Sequence, residues 1–167
     1  LYYRNSIYTK AEPLRIQALE IRKKVLGESH PDFAGSLNNL AALYYAMGQF
    51  GKAEQLYIQS KDIRKRLFGD IHPDYAVSLS NLAFLYDKMG QFAKAESFYL
   101  QTLEVMKKLL GESHPGYANS LDNMATFFDN DGRYEIGDSL HKQAREIRKK
   151  IWDENNPDYA ASLETLA

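Results

Sequence analysis

Apolar residues recur at steps of three and four along most of this 167-residue chain. From Phe33 they fall at Leu37, Leu40, Ala41, Tyr44 and Met47, which is one face of a helix. Ala53, Leu56, Tyr57, Ser60, Ile63 and Leu67 follow with the same spacing and predict a second helix from near Gly51 to about Phe68. Pro31 suits the start of the first helix, where its missing N–H would have no partner anyway. Asp32 adds negative charge in the first turn, which favours the helix dipole. Gly48 and Gly69 come after the two apolar runs and read as stops, as do Gly90, Gly132, Gly27 and Gly111. At roughly 1.5 Å per residue the second helix is about 27 Å long, and Gly48-Gln49-Phe50 supplies a short connection back.

The same two helices are then written again. His30-Pro31-Asp32 returns as His72-Pro73-Asp74, His114-Pro115-Gly116 and Asn156-Pro157-Asp158, so the prolines are 42 residues apart without a slip. Residues 30–71 and 72–113 are identical at 23 of 42 positions. A fixed period in this range means stacked copies of one unit that buries its apolar face only against its neighbours. Leu1, Tyr2 and Tyr3 fall under Leu43, Tyr44 and Tyr45, and Lys10-Ala11-Glu12 falls under Lys52-Ala53-Glu54. The expectation is one array over residues 1–167: a partial repeat 1–29, complete repeats 30–71, 72–113 and 114–155, and a partial repeat 156–167. Both ends cut through a unit, which suggests a piece of a longer protein. Leu163 and Leu166 would then lack their partner helix, which favours end-to-end self-association of such a piece.

Small residues hold fixed places in the repeat. Ala41, Ala83 and Ala125 occupy one; Ala53, Ala95 and Gly137 occupy another. They let helices approach to about 8–10 Å, while Tyr44, Phe50 and Tyr57 fill the space beside them. Composition agrees: 44% hydrophobic and 13% aromatic residues suffice for a continuous core. A net charge of −1 argues against bulk attraction to nucleic acid or an anionic membrane. No apolar run approaches a membrane span of about 18 residues. The absence of cysteine removes disulfides, zinc ribbons and thiol nucleophiles and fits an intracellular, cytoplasmic setting.

Leu37-x-Asn39-Leu40-Ala41-x-x-Tyr44, Gly48-x-Phe50, Ala53 and Tyr57 resemble the tetratricopeptide pattern. Leu37, Leu79, Leu121 and Leu163 stand where that pattern usually has a large aromatic. The 42-residue unit with its Leu-Gly-Glu-Ser-His-Pro junction is similar to the long, kinesin light chain type of repeat, and the likeness covers essentially the whole chain. It implies an all-α fold, a right-handed α-solenoid of antiparallel helix pairs, whose first helices line a concave groove. It also implies a non-catalytic scaffold that binds a protein or peptide segment there. The alternative is a regulatory or spacer module that packs on a neighbouring signalling or peptidase domain of its own parent protein.

By that pattern the groove positions are Asn38, Asn39, Ala42, Tyr45 and Ala46 in one repeat, then Ser80, Asn81, Phe84, Asp87 and Lys88, then Asp122, Asn123, Thr126, Asp129 and Asn130. In the family the Asn of this place often bonds a ligand's backbone or carboxylate. An amide both donates and accepts, so it can hold an extended peptide without reading its side chains. The other reading of Asn39, Asn81 and Asn123 is that they bond backbone groups between helices. Thr165 replaces the Asn in the fifth copy. Asp87, Asp122 and Asp129 make the later groove acidic, with Lys88 the one base among these positions. This points to a ligand with a neutral or basic segment, unless the acids are merely a solvated face.

Other recurring residues carry no chemistry in this reading. His30, His72 and His114 sit in successive repeats, on the order of 15–20 Å apart, whereas zinc ligands lie within about 2 Å of one ion. They read as helix-junction residues, with Asn156, a good capping residue, in the fourth place. His141 replaces Tyr57 and Tyr99 and reads as a packed core substitute. The clusters Arg22-Lys23-Lys24, Arg64-Lys65-Arg66, Lys107-Lys108 and Arg148-Lys149-Lys150 lie in last turns and read as a solvated face. Glu12, Glu54 and Glu96 suit the dipole and cap of the second helices. No phosphate loop, nucleophile motif or zinc-protease motif occurs, so neither an enzyme nor a cofactor, and neither nucleic acid nor membrane as partner, is expected.

Overall fold

A computed structural model describes residues 2–151. The fifth copy of the repeat, with Asn156, Pro157, Leu163, Thr165 and Leu166, lies outside the described residues. Among those described there are seven helices and no strand: α1 (Tyr2–Leu26), α2 (Pro31–Ala46), α3 (Phe50–Phe68), α4 (Pro73–Lys88), α5 (Phe92–Leu110), α6 (Pro115–Asn130) and α7 (Tyr134–Ile151). Helices α1–α4 form one compact unit, Leu1–Gln91, and α5–α7 belong to a second, Phe92–Ala167. Within each unit the helices pack on their neighbours in chain order. None of the described helices is long and apolar enough to cross a membrane.

The helix starts follow from the His-Pro pair. Proline takes the first helical position of α2, α4 and α6, and the histidine before it stays extended as the N-cap. Each histidine's Nδ1 accepts from a backbone N–H two residues on: Asp32 and Asp74 at 3.1 Å, Gly116 at 2.9 Å. An imidazole thus does what Ser or Asp commonly does, satisfying an N–H that has no carbonyl within the helix. The His72 ring also stacks on Phe68, the last residue of α3, with ring centres 4.1 Å apart.

The helix ends follow from glycine. Gly48, Gly90 and Gly132 have φ near +70 to +78°, a conformation that costs other L residues energy. The amide three places past each helix closes the turn: Gln49 N–H bonds Tyr44 C=O at 2.8 Å and Gln91 bonds Tyr86 at 2.9 Å. One expectation fails here. Residues 2–3 and 10–12 align with two different helices of the repeat, yet α1 runs through both without a break. Ser6 stands where the other copies have Gly48, so the left-handed stop is missing and the helix continues.

The core is the repeated small-and-large set. Ala34, Ala41 and Ala53 in the first unit are fully buried, as are Ala118, Ala125 and Ala144 in the second, and Leu37 and Leu121 lie beside them. In the first unit Phe33, Ala34, Leu37 and Ile63 cluster with Leu19 and Leu56. In the second, Ala118, Leu121 and Ala144 cluster with Leu103, Leu140 and Ile147. Ser60, fully buried, donates to Ala34 C=O at 2.8 Å and ties α3 to α2.

Polar residues repeat as partners, which corrects two sequence readings. Glu12 and Glu54 do not cap helices: they accept from the Tyr44 and Tyr86 hydroxyls at 3.0 and 2.7 Å. Burial first, and then the Glu54 carboxylate, hold the Tyr86 phenol well above its ordinary range. In the third copy Phe128 has no hydroxyl, and Glu96 pairs instead with Arg133 at 2.9 Å. The Arg133 guanidinium lies 4.3 Å from the Phe128 ring centre, covering the changed aromatic.

The basic clusters are not uniformly solvated either. Arg64 and Arg148 are buried, and Arg64 donates to Ser78 Oγ at 2.9 Å and Asp74 C=O at 3.2 Å. Arg22 and Ser36 make the same contact one repeat earlier. Met106 replaces the arginine in the next copy, and Ser120 there keeps only the bond to its own helix, to Gly116 C=O at 3.1 Å, which Ser78 also makes to Asp74 C=O at 3.1 Å. The lysines beside these positions reach across the glycine turn to an acid: Lys23 to Glu28, Lys65 to Asp70 and Lys107 to Glu112.

Ala83 has no exposed surface, so Ala83→Trp overpacks α4 and should cost about 3 kcal/mol or more, visible as a lower melting temperature in calorimetry. Burial, with Tyr45 as a lesser cause, pushes the Tyr57 phenol up to about 12. The unfolded phenol ionises near 10, so the native state resists a deprotonation that the unfolded state undergoes. The stability this contributes is complete below pH 10 and is lost as pH rises through about 12. Thermal melts between pH 9 and 12 should show this fall, and Tyr57→Phe should flatten it.

Candidate peptide-binding faces

In the first unit the expected positions of α2 and α4 all keep solvent exposure. Asn39, Ala42, Ala46 and Lys88 are exposed, and Asn38, Tyr45, Ser80, Asn81, Phe84 and Asp87 are half-buried. Their neighbours along the same helices, Leu37, Leu40, Ala41 and Tyr44, are buried. The 3.6-residue period separates the two sets, because side chains one or two places apart face different ways.

Two expected residues meet directly. Asn81 Nδ2 donates to Asn38 Oδ1 at 2.8 Å and links α4 to α2. The two amides thus satisfy each other in part, side chain to side chain and not to backbone. An amide pair in this arrangement keeps one carbonyl oxygen and one amino group for further bonds. Asn39 offers its backbone instead, its C=O accepting from Arg15 of α1 at 2.6 Å. Arg15 occupies the repeat position of Tyr57. Asp87 raises the Tyr45 phenol after burial does, and it lies 3.9 Å from the Lys88 ammonium.

The second unit departs from the expectation of an acidic face. Asp122 is bound on both sides: His141 Nδ1 lies 2.8 Å from Oδ1, and Arg148 donates to Oδ2 at 2.5 Å. Asp129 approaches the other ring nitrogen, with Nε2 3.3 Å from Oδ2. Arg148 also donates to Asn119 Oδ1 at 2.7 Å. Two of the three acids assigned to the groove are therefore engaged by side chains of α7, Asp122 by Arg148 and His141 and Asp129 by His141, which weakens the argument for a strongly acidic surface. Thr126, exposed, donates to Asp122 C=O within its own helix at 2.9 Å. Asn123 is half-buried beside it.

Gly137 makes this arrangement possible. A Cβ there would stand 1.9 Å from Asp129 Oδ1 and 3.1 Å from Ala125 C=O. The carboxylate of Asp129 fills the space that the methyl groups of Ala53 and Ala95 take in the other copies. The sequence does carry this signal. Asp122, Gly137 and His141 all depart from the residues 42 places earlier, Ser80, Ala95 and Tyr99, while Asp129 keeps the acid of Asp87, and the pairs 122/129 and 137/141 have helical spacing. Reading His141 alone as a replaced tyrosine missed it, because its partners are on another helix. Among the described residues no three His, Asp or Glu side chains are placed to hold one metal ion.

Asn81→Ala leaves the half-exposed Asn38 oxygen to water, so it should cost no more than about 1 kcal/mol in chemical denaturation. Asp122→Ala strips a buried guanidinium of its carboxylate and should cost more, about 3 kcal/mol.

The comparisons fit this geometry. The family model described as tetratricopeptide repeat matches residues 1–65, 32–108 and 74–135. The crystal structure of BtubC (BKLC) from P. vanneervenii is 24% identical, with a TM-score of 0.81 over 98% of this chain, and shares the fold. The present chain spans 65% of that one's length. The nearly identical TPR-like repeats of a candidate kinesin light chain from Podosopora anserina are 28% identical over 99% of this chain and 78% of their own, with a TM-score of 0.81. Their Q17M form gives 0.82. No protein of curated function matches the sequence. Overlapping matches across residues 1–135 and repeats of the kinesin light chain-like type establish that the chain belongs to the tetratricopeptide repeat family, whose units generally mediate contacts between proteins.

Proposed function

We propose that this chain is a non-catalytic scaffold that binds an extended protein or peptide segment on the exposed faces of its first helices. One observation carries the reading. Three places on the exposed face differ between copies, while the leucine and alanine places of the core repeat. Asn38, Ser80 and Asp122 share one place; Ala42, Phe84 and Thr126 another; Tyr45, Asp87 and Asp129 a third; all are exposed or half-buried. The packed places hold Leu37, Leu79 and Leu121, or Ala41, Ala83 and Ala125, almost unchanged. Packing needs the same residue in each copy, whereas reading a partner needs different ones.

The amides supply affinity for the backbone, and the varied side chains supply selectivity. Asn39, Asn81 and Asn123 recur as donor–acceptor groups, and a peptide backbone presents the complementary pair at each residue. Since Asp122 is held by Arg148 within the second unit, the favoured ligand is a largely neutral extended segment, with a basic side chain accommodated near Asp129. Phe84 and Tyr45 provide apolar contact beside the amides.

The second reading, a module that packs on a neighbouring domain, draws on α1. Ile21 is 54% exposed, while Ile63, its counterpart one repeat on, is 2% exposed. Leu14 and Val25 extend the same apolar row, a surface suited to cover by further polypeptide.

Peptides selected against the whole chain from a random display library test the first reading. Asn81→Ala combined with Asn123→Ala should weaken the selected peptides at least tenfold, while melting shifts by no more than the amide loss above. Equal binding by the double variant would place the ligand elsewhere.

A further inference from the structure

The imidazole of His141 stands between two carboxylates and can hold both only when both its nitrogens carry protons. Nδ1 is 2.8 Å from Asp122 and Nε2 is 3.3 Å from Asp129. Its side chain is 11% exposed, so water is a poor substitute for either partner. A neutral imidazole has one N–H and one bare nitrogen. A bare nitrogen facing a carboxylate is a meeting of two acceptors, which repels.

We infer that His141 is a proton-controlled lock on Asp129, governing whether that carboxylate is held inside the face or presented to a ligand. With the ring protonated, Asp122, Asp129, His141 and Arg148 sum to zero charge, and both acids are fixed. When the ring loses a proton, the remaining N–H stays on Nδ1. That contact is the shorter and better aligned, and Arg148 at 2.5 Å keeps Asp122 in place for it. Asp129 loses its partner. It is the more exposed of the two acids, 37% against 29%, and it sits on the face beside Asn123 and Thr126. Turned outward, it is a seat for a lysine or arginine side chain.

Among the described residues the groups facing the ring are few. Helix α6, against which α7 packs, presents Asp122 and Asp129. On α7 itself Arg148 acts through Asp122, Arg145 lies one turn beyond the ring, and Lys142 is taken by Asp138 at 2.5 Å. The first two complete copies lack the device. Tyr57 and Tyr99 stand in place of His141, and Ala53 and Ala95 fill the seat that Gly137 leaves for Asp129.

The use of the lock rests on the peptide-binding reading above, but the lock itself needs no ligand to be observed. Long-range ¹H–¹⁵N spectra of the whole chain, recorded from pH 5 to 8.5, report the protonation of each His141 nitrogen. The Asp129 carboxyl ¹³C shift reports its partner. The expected result is an imidazolium with both N–H groups in acid, a ring protonated on Nδ1 alone at higher pH, and an inflection of Asp129 at the His141 midpoint. Gly137→Ala, which expels Asp129 from its seat, and His141→Gln, which has no proton to lose, should each abolish that inflection. A neutral ring protonated on Nε2, or an Asp129 shift indifferent to the His141 midpoint, would overturn the lock in the unmodified chain, whether or not either variant folds. Neither outcome bears on the display selection, so the two readings fail separately.

Discussion

Close approach of helices is the constraint on which everything else here rests. Two helices meet at about 8–10 Å only where the contact residues are small, and in this chain those residues are Ala41, Ala83, Ala125, Ala53 and Ala95, all fully buried. Once they fix the spacing, only certain neighbours can fill it. Leu37 and Leu121 pack beside the alanines, and Tyr44 and Tyr86 lie at the helix ends where a hydroxyl can still reach Glu12 or Glu54. Gly137 tests the rule from the other side. Removing even the methyl group opens a seat on α7, and the carboxylate of Asp129 takes it.

Repetition makes the chain its own set of substitutions. Where a residue changes between copies, its partner changes too. Phe128 loses the hydroxyl of Tyr44 and Tyr86, and Arg133, in the place of Gln49 and Gln91, takes over Glu96. Met106 lacks the guanidinium that reaches Ser36 and Ser78, and Ser120 is left with the bond to its own helix that Ser78 also makes. These exchanges follow from the cost of leaving a buried polar group without a partner, roughly 1–3 kcal/mol. The same logic governs Asp122 and Asp129. Acids on a face packed against a neighbouring helix are held by His141 and Arg148, so a count of acidic residues misstates the charge that a partner meets.

Most of the fold was legible because it depends on local rules with a fixed period. Helix starts at Pro31, Pro73 and Pro115, stops at Gly48, Gly90 and Gly132, and the leucine and alanine core places all follow from spacing and backbone chemistry. The failure at α1 is also local: without a glycine at Ser6, alignment with a turn does not make one. The candidate face was legible as a set of places, since Asn38, Asn39, Tyr45, Ser80, Phe84, Asp87, Asn123 and Thr126 all keep exposure. Its internal bonding was not. The amide bridge from Asn81 to Asn38 joins residues 43 apart, and no pattern within a single helix shows which side chains of adjacent helices touch.

The sequence by itself therefore determined the unit, its length, its two helices and where the leucine and alanine core falls, because the burial of small and apolar residues follows a period that can be counted. Only the tertiary structure decided how the polar residues pair. Arg64 and Arg148 read as solvated and are buried; Glu12 and Glu54 read as caps and accept from tyrosines; Asp122 and Asp129 read as an acidic groove and are held by His141 and Arg148. The physical reason is range. Hydrophobic burial is non-directional and averages over a face, whereas a hydrogen bond needs two particular atoms within about 3 Å and well aligned. Those atoms come together only after the helices have packed.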